Sequence, residues 1–275
     1  MSLARWKFGG GAAFALLCGC ADKSISQLLE PPIRPAETIE ACAVPAPGEA
    51  LRDPGVHSVG DLRRIATNEL NGSVSVGALE GQGPLWGIGM PHGLDREILV
   101  LGDRVHLGQY AGLSYSRSDG PLPPVAFLVY ARVARWCSVD IPSNVVSFQD
   151  LEAFVPEAAH AAGVDASRAL PFRIEAKVRV LRWFVVGGAG TGFPDPHASF
   201  LRERRLGPLG ERTIEALGFH VAGEKGVLTN PVSHIHVHFV TSDSERFVAH
   251  LDDDLALAPG GRLLFPATQE GTVAR

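Results

Sequence analysis

No stretch of the 275 residues is long and apolar enough to cross a bilayer as a permanent helix. Excess positive charge is lacking too. With 25 Lys and Arg against 30 Asp and Glu, the formal net charge is −5, so no basic field draws nucleic acid and no nucleic-acid partner is expected. There is no internal repeat at a fixed period and no coiled-coil heptad pattern. The run Gly188-Ala-Gly190-Thr-Gly192 has neither a Lys nor a following dinucleotide-type helix, which argues against a phosphate cradle.

What is abundant points to sheet. The chain holds 31 Gly and 20 Pro, a turn-rich composition that favours strands over a helical bundle. Hydrophobic residues make up 45% and charged residues 20%, enough for a sizeable core and too apolar for wholesale disorder. The length allows one large domain or two modest ones.

Residues 1–20 read as a signal peptide. Arg5 and Lys7 precede the apolar small-residue run Phe8 to Leu17, which has the length of a signal's apolar region. The run ends in Leu17-Cys18-Gly19-Cys20, similar to a lipoprotein cleavage box, so Cys20 is the expected lipidation site. The protein is then expected to be an exported envelope lipoprotein, periplasmic or on the outer surface, held to the membrane by an N-terminal lipid. Residues 21–56, rich in Pro and Ala, read as a spacer, and 57–275 as the folded catalytic region. Of 4 Cys, only Cys42 and Cys137 remain once Cys18 leaves with the signal and Cys20 is acylated. An oxidising compartment permits a disulfide between them.

Ser58-Val-Gly-Asp61 looks like a helix start, with Leu62, Ile65 and Ala66 on one face until Asn71-Gly72. Glu97 to Leu101 and Arg104 to Leu107 flank a Gly102-Asp103 turn, and Val125 to Val133 reads as a buried strand. Ser147 and Asp150 form a capping box for a second helix, in which Pro156 falls within the first turns or makes a kink. Phe172 to Val186 alternates, with Arg173, Glu175, Lys177 and Arg179 on a wet face. Phe200 to Leu217 is expected to be a basic helical insertion.

The most informative stretch is Val232 to Thr241. His234, His236 and His238 point to one face, and Ile235, Val237 and Phe239 to the other. Alternate strand residues lie roughly 6.6 Å apart and a zinc–nitrogen bond is about 2 Å, so neighbouring members can share an ion while His234 and His238 cannot easily do so. The pair is His234/His236 or His236/His238. A three-residue loop Asp243-Ser-Glu245 puts His238 opposite His250, Val237 opposite Leu251 and Phe239 opposite Ala249, so the apolar faces match; a two-residue loop breaks that match. The odd loop therefore favours His236, His238 and His250 as ligands, with Asp252 as a nearby acceptor for a ligand ring. Three imidazoles with an open position form a catalytic arrangement for zinc, the expected divalent ion.

Several ordered segments resemble the acetolactate decarboxylase family from about His57 to Phe265: the early helix; Gly87-Ile-Gly-Met with Leu94-Asp-Arg-Glu97-Ile-Leu-Val-Leu; Phe172-Arg173-Ile-Glu; and His236-Val-His238-Phe with His250. The resemblance implies two linked β-sheet-based domains with few helices, an α+β class, and a zinc ion held by three histidines on an antiparallel hairpin. It implies decarboxylation of 2-acetolactate, a small hydroxy-keto acid, to acetoin and carbon dioxide without an organic cofactor. It also points to catalytic roles for Glu97, as proton donor or relay or as a further metal contact, and for Arg173, as a forked anchor for substrate. The chain departs from the family at Val185-Val-Gly-Gly-Ala-Gly and has one extra residue between His238 and His250, which the three-residue loop absorbs. Two alternatives stand beside this reading: another metal-dependent enzyme on the same scaffold, with an altered pocket around Gly187 to Phe193, or a non-catalytic metal-binding envelope lipoprotein.

Overall fold

A computed structural model describes residues 39–46, 51, 53, 55–63, 79, 83–111, 114–185, 205–223 and 225–267. Cys20 and the leader lie outside these residues, as do the early helix beyond Arg63 and the glycine-rich loop 187–196.

Apolar alternation and tight turns build the smaller sheet. It comprises β2 (Val56–Val59), β3 (Leu85–Pro91), β4 (Arg96–Leu101), β5 (Arg104–Ala111), β6 (Ser114–Asp119) and β7 (Val125–Arg132), in the order β2-β7-β3-β4-β5-β6. All its pairings are antiparallel. Gly102 and Asp103 join β4 to β5 with φ of 58° and 70°, the left-handed pair whose twist matches a two-residue hairpin.

The larger sheet contains β1 (Glu40–Ala41), β8 (Trp136–Asp140), β9 (Leu170–Val185), β10 (Arg205–Leu209), β11 (Arg212–His220), β12 (Ile235–Thr241), β13 (Val248–Leu257) and β14 (Arg262–Pro266). Its order is β1-β8-β14-β9-β11-β12-β13, with β10 on β9 and β13 returning to pair with β9. The first half of β9, a strand of 16 residues, holds β11 and β14, and its second half holds β10 and β13. The sheet therefore closes on itself through β9, β11, β12 and β13.

Each face of this sheet has its own apolar layer. Phe184, Leu217, Phe219, Val240 and Leu264 pack with Trp86, Leu99, Phe127 and Val129 of the smaller sheet. On the other face, Phe172, Ile174, Val237, Phe239 and Leu251 meet Leu151, Val155 and Ala159 of α1 (Phe148–Ala161). α1 starts at the expected capping box, with the Asp150 amide donating to Ser147 Oγ at 3.1 Å and the Ser147 amide donating to Asp150 Oδ2 at 3.0 Å. It runs on through Pro156, which lies well past its first turn.

Two expectations need correction. The α+β class does not hold: the described residues form 14 strands and one full helix, a mostly-β protein. The helical insertion expected over Phe200 to Leu217 is instead β10 and the start of β11 where it is described. Those strands satisfy the backbone groups along β9, and Gly218 allows a close approach there, since a Cβ at that position would sit 2.3 Å from the Phe172 ring. The two sheets also share an apolar layer within the single unit Ile39–Arg275.

Part of the Pro/Ala-rich stretch joins the sheet. β1 pairs in parallel with β8, the Cys42 amide donates to the Ser138 carbonyl at 3.0 Å, and a disulfide links Cys42 to Cys137 across 95 residues of sequence.

Candidate metal centre

β12 and β13 form the expected hairpin in the expected register: His238 opposes His250 and Phe239 opposes Ala249. The Asp243 carboxylate secures the turn, accepting from Thr241 Oγ1 at 2.7 Å and from the Arg246 amide at 3.1 Å. Arg246 takes a φ of 45°, the left-handed residue that lets an odd loop rejoin the ladder. Apolar matching fixes this register because a slip of one residue would send Val237, Phe239, Ala249 and Leu251 out of the core.

The hairpin brings three imidazoles together. Ligand atoms of His236, His238 and His250 all lie within 4.8 Å of one another. His236 and His238 are buried and His250 is half-buried. The His236 Nδ1 is 2.9 Å from the Leu228 carbonyl oxygen and the His238 Nδ1 is 2.8 Å from that of Ile98. A carbonyl only accepts, so each Nδ1 carries the hydrogen and each neutral ring has its lone pair on Nε2. Those two Nε2 atoms face each other at 3.1 Å. Opposed lone pairs at that distance repel, and a shared cation relieves the repulsion.

Electrostatics favour the ligating form. Burial pushes His236 down to about 4, and burial together with neighbouring His236 holds His238 well below the usual imidazole range. Both rings are therefore neutral near pH 7, as a divalent ion requires. Phe184, the cross-strand partner of His250, stacks on its ring at a centroid distance of 4.0 Å. Residues, ring states and donor chemistry fit a metal ion of the zinc type.

Glu97 joins this group. Its side chain is 1% exposed, and Oε2 lies 3.5 Å from His238 Nε2. β4 supplies both this carboxylate and the Ile98 carbonyl on which His238 rests, so the smaller sheet forms one wall of the site.

Arg173 lies two strands from His238. It lies on the same sheet face as His238, separated from it by β11, in the register row His238–Leu217–Arg173. The wet face expected for it is not found: Arg173 is 5% exposed, with its guanidinium carbon 4.6 Å from the Trp86 ring centroid and 5.4 Å from that of Trp136. Its Nη2 binds Glu175 at 3.1 Å and Glu215 at 2.9 Å. Asp252 forms an ion pair with Arg182 at 3.4 Å. His234 lies outside the three-histidine group, its Nδ1 donating to the Val221 carbonyl at 2.8 Å. The carbonyls of Leu228 and Ile98 and the ring of Phe184 escaped sequence reasoning. None of them left a signal: strict alternation along β9 puts Phe184 on the Phe172 face, but the apolar phase shifts between Val178 and Leu181 and Phe184 joins the opposite layer.

No protein-family model matches the sequence, and no curated protein matches it. Solved structures do match. Acetolactate decarboxylase of Bacillus subtilis subspecies spizizenii is 14% identical, with a TM-score of 0.60 over 79% of this chain and 87% of that one. The fold is that of the acetolactate decarboxylases. The enzyme from Bacillus subtilis strain 168 aligns at 13% identity and a TM-score of 0.58, covering 78% of this chain and 84% of its own. A Staphylococcus aureus protein of unknown function, similar to alpha-acetolactate decarboxylase, gives 13% and 0.59 with the same coverage of 78% and 84%. At such identity the likeness is one of fold, and the chemistry must be argued from the site.

Proposed function

We propose that the protein is a metal-dependent carboxy-lyase that converts 2-acetolactate to acetoin and carbon dioxide, with zinc as the ion. The observation that carries this reading is the facing pair of His236 and His238 Nε2 atoms at 3.1 Å, completed by His250, on this fold. When bound, a divalent ion supplies Lewis-acid stabilisation of negative charge developing on adjacent carbonyl and hydroxyl oxygens.

The chain's own residues do the rest. His236, His238 and His250 hold the ion. In the reaction the bond between the carboxylate and the hydroxyl-bearing carbon breaks, its electron pair moves toward the ketone oxygen, and that carbon finally takes up one proton. Glu97 is assigned that proton, on the support of its burial and its 3.5 Å separation from His238 Nε2. The dry layer formed by Leu99, Phe127 and Phe219 keeps water from competing for it. In this reading the enzyme is exported and anchored by a lipid on Cys20.

One observation favours a second reading. Arg173 Nη2 is engaged by both Glu175 and Glu215, so one arm of its fork is taken by the protein's own carboxylates. That suits a different hydroxy-keto acid on the same scaffold. The test is metal content together with acetolactate turnover, on soluble protein lacking residues up to Cys20. One ion per chain with acetoin released supports the main reading. Bound metal without acetoin leaves the second, and absence of metal overturns both.

A further inference from the structure

The ring of His236 is aimed by a carbonyl that belongs to a loop. Leu228 lies between β11 and β12, and among the described residues of this loop the isolated strand pairing is one bridge, between Lys225 and Thr229. Its shape comes from internal hydrogen bonds. The Gly226 amide donates to the Thr229 carbonyl at 3.0 Å, the Ser233 amide to the Asn230 carbonyl at 3.1 Å, and Thr229 Oγ1 to the Ser233 carbonyl at 2.7 Å. Thr229 is fully buried, so the last of these bonds is made away from water.

Two contacts fix this folded loop against the rest of the protein. The Leu62 amide donates to the Val227 carbonyl at 3.1 Å, and from the second turn of α1 Glu152 reaches the other side of the loop. One carboxylate oxygen, Oε1, accepts both from Ser233 Oγ at 2.7 Å and from the backbone amide of His234. Ser233 Oγ in turn accepts from the Ile235 amide at 3.0 Å, where β12 begins. Charge-assisted bonds of this kind are stronger than neutral ones, and these grip the chain immediately before His236.

We propose that Glu152 is a positioning residue for His236, holding the 229–235 turn so that the Leu228 carbonyl meets Nδ1 and Nε2 is presented to the ion; the inference rests on the metal reading above. Glu152 touches neither ion nor substrate and acts through Ser233 and the His234 amide. Partners one step removed from a metal ligand set its tautomer and direction, and their loss typically weakens metal binding by roughly 10–100-fold.

The test compares full-length wild type, Glu152→Leu and Glu152→Gln by two measurements. The first is the ¹⁵N shifts of the His236 ring in metal-free protein, and the second is zinc affinity by chelator competition. Wild type is expected to show hydrogen on Nδ1 alone. Glu152→Leu should mix the tautomers and lower zinc affinity by roughly 10–100-fold. Glu152→Gln, whose carbonyl oxygen can still accept both bonds, should stay within about threefold of wild type. If Glu152→Leu does not fold, Glu152→Asp, one methylene too short, carries the same expectation. Unchanged His236 ring signals in a folded Leu or Asp variant would overturn the proposal. Wild type that binds no zinc overturns the metal reading alone, and the ring signals then decide the role of Glu152.

Discussion

The histidine cluster and the Arg173 box share one face of one sheet, in a register row that runs His250–His238–Leu217–Arg173. Their environments are opposite. At the hairpin, burial strips the His236 and His238 rings of charge and leaves their lone pairs converging. In the box, a permanent cation is buried against Glu175, Glu215 and two indole faces. Desolvation acts on both, and side-chain chemistry decides the outcome. Imidazole answers burial by losing its proton, whereas guanidinium cannot and must recruit carboxylates. One region is thus prepared to take a foreign cation, while the other already contains its own.

The largest expected effect would break this contrast directly. His238→Ala removes the central member of the cluster, with its contacts to His236, Glu97 and the Ile98 carbonyl. Zinc affinity should fall on the order of a thousand-fold and acetoin formation should stop. Chelator competition and a colorimetric acetoin assay check this, and a His238→Ala protein that keeps wild-type affinity would show that the cluster does not hold the ion.

Next comes Arg173→Leu, which should affect stability and spare the metal. It leaves Glu175 and Glu215 facing each other across β9 and β11 and empties the space between the two indoles. Removing one partner of a buried ion pair costs about 3–5 kcal/mol, but these carboxylates are 28% and 26% exposed, and Arg262 still holds Glu175 at 2.6 Å. Solvent screening brings the expected loss to roughly 2–3 kcal/mol in urea unfolding. Zinc affinity should remain within about threefold, because no ligand ring leans on Arg173. A large loss of affinity would join the two regions into one site.

The difference between these regions also explains what could be read in advance. The hairpin is local: its register follows from a short loop and the need to bury Val237, Phe239, Ala249 and Leu251, all printed within one stretch of sequence. The β9 alternation, the Gly102-Asp103 turn, the capping box and the Cys42–Cys137 pairing were legible for similar reasons of local pattern or elimination. The Arg173 box is non-local. Its walls come from β3, β8 and β11, and alternation alone assigns a charged side chain to water. The α+β class failed likewise: β11 is a strand because β9 and β12 flank it, whatever its own propensities suggest. Carbonyl partners such as Leu228 and Ile98 leave no trace in sequence, since every residue has one.

Acid should sharpen the comparison from the histidine side. Burial lowers His236 to about 4, and burial with neighbouring His234 lowers His220 to about 4. Unfolded imidazoles titrate near 6.5, so between these values the unfolded chain binds more protons than the folded one. The stability these rings contribute is therefore full above about pH 6.5 and is lost as pH falls toward 4, by roughly 1.4 kcal/mol per pH unit for each ring. Urea midpoints of metal-free protein from pH 7 to pH 4.5 should follow that slope. His220→Leu, which also removes a buried Nδ1 that has no partner among the described residues, should reduce it by roughly a quarter to a third, since burial lowers His238 and His106 as well. A slope untouched by His220→Leu would place the acid sensitivity elsewhere.

The smallest effect separates the two walls of the box. Trp86 and Trp136 meet edge to face at 5.0 Å, and both flank Arg173, but they are not equivalent. The Trp86 indole donates to the Val133 carbonyl at 3.0 Å and lies nearer the guanidinium, whereas the buried Trp136 N–H has no partner among the described residues. Trp136→Phe removes that unpaired donor while leaving an aromatic face, so its cost should stay below about 1 kcal/mol. Trp86→Phe loses a made hydrogen bond and the closer cation–π contact, and should cost roughly 1–2 kcal/mol. Urea unfolding of the two variants gives the order. If Trp136→Phe proved the more damaging, Arg173 would be held chiefly from the β8 side, and the disulfide at Cys137 would become part of its support.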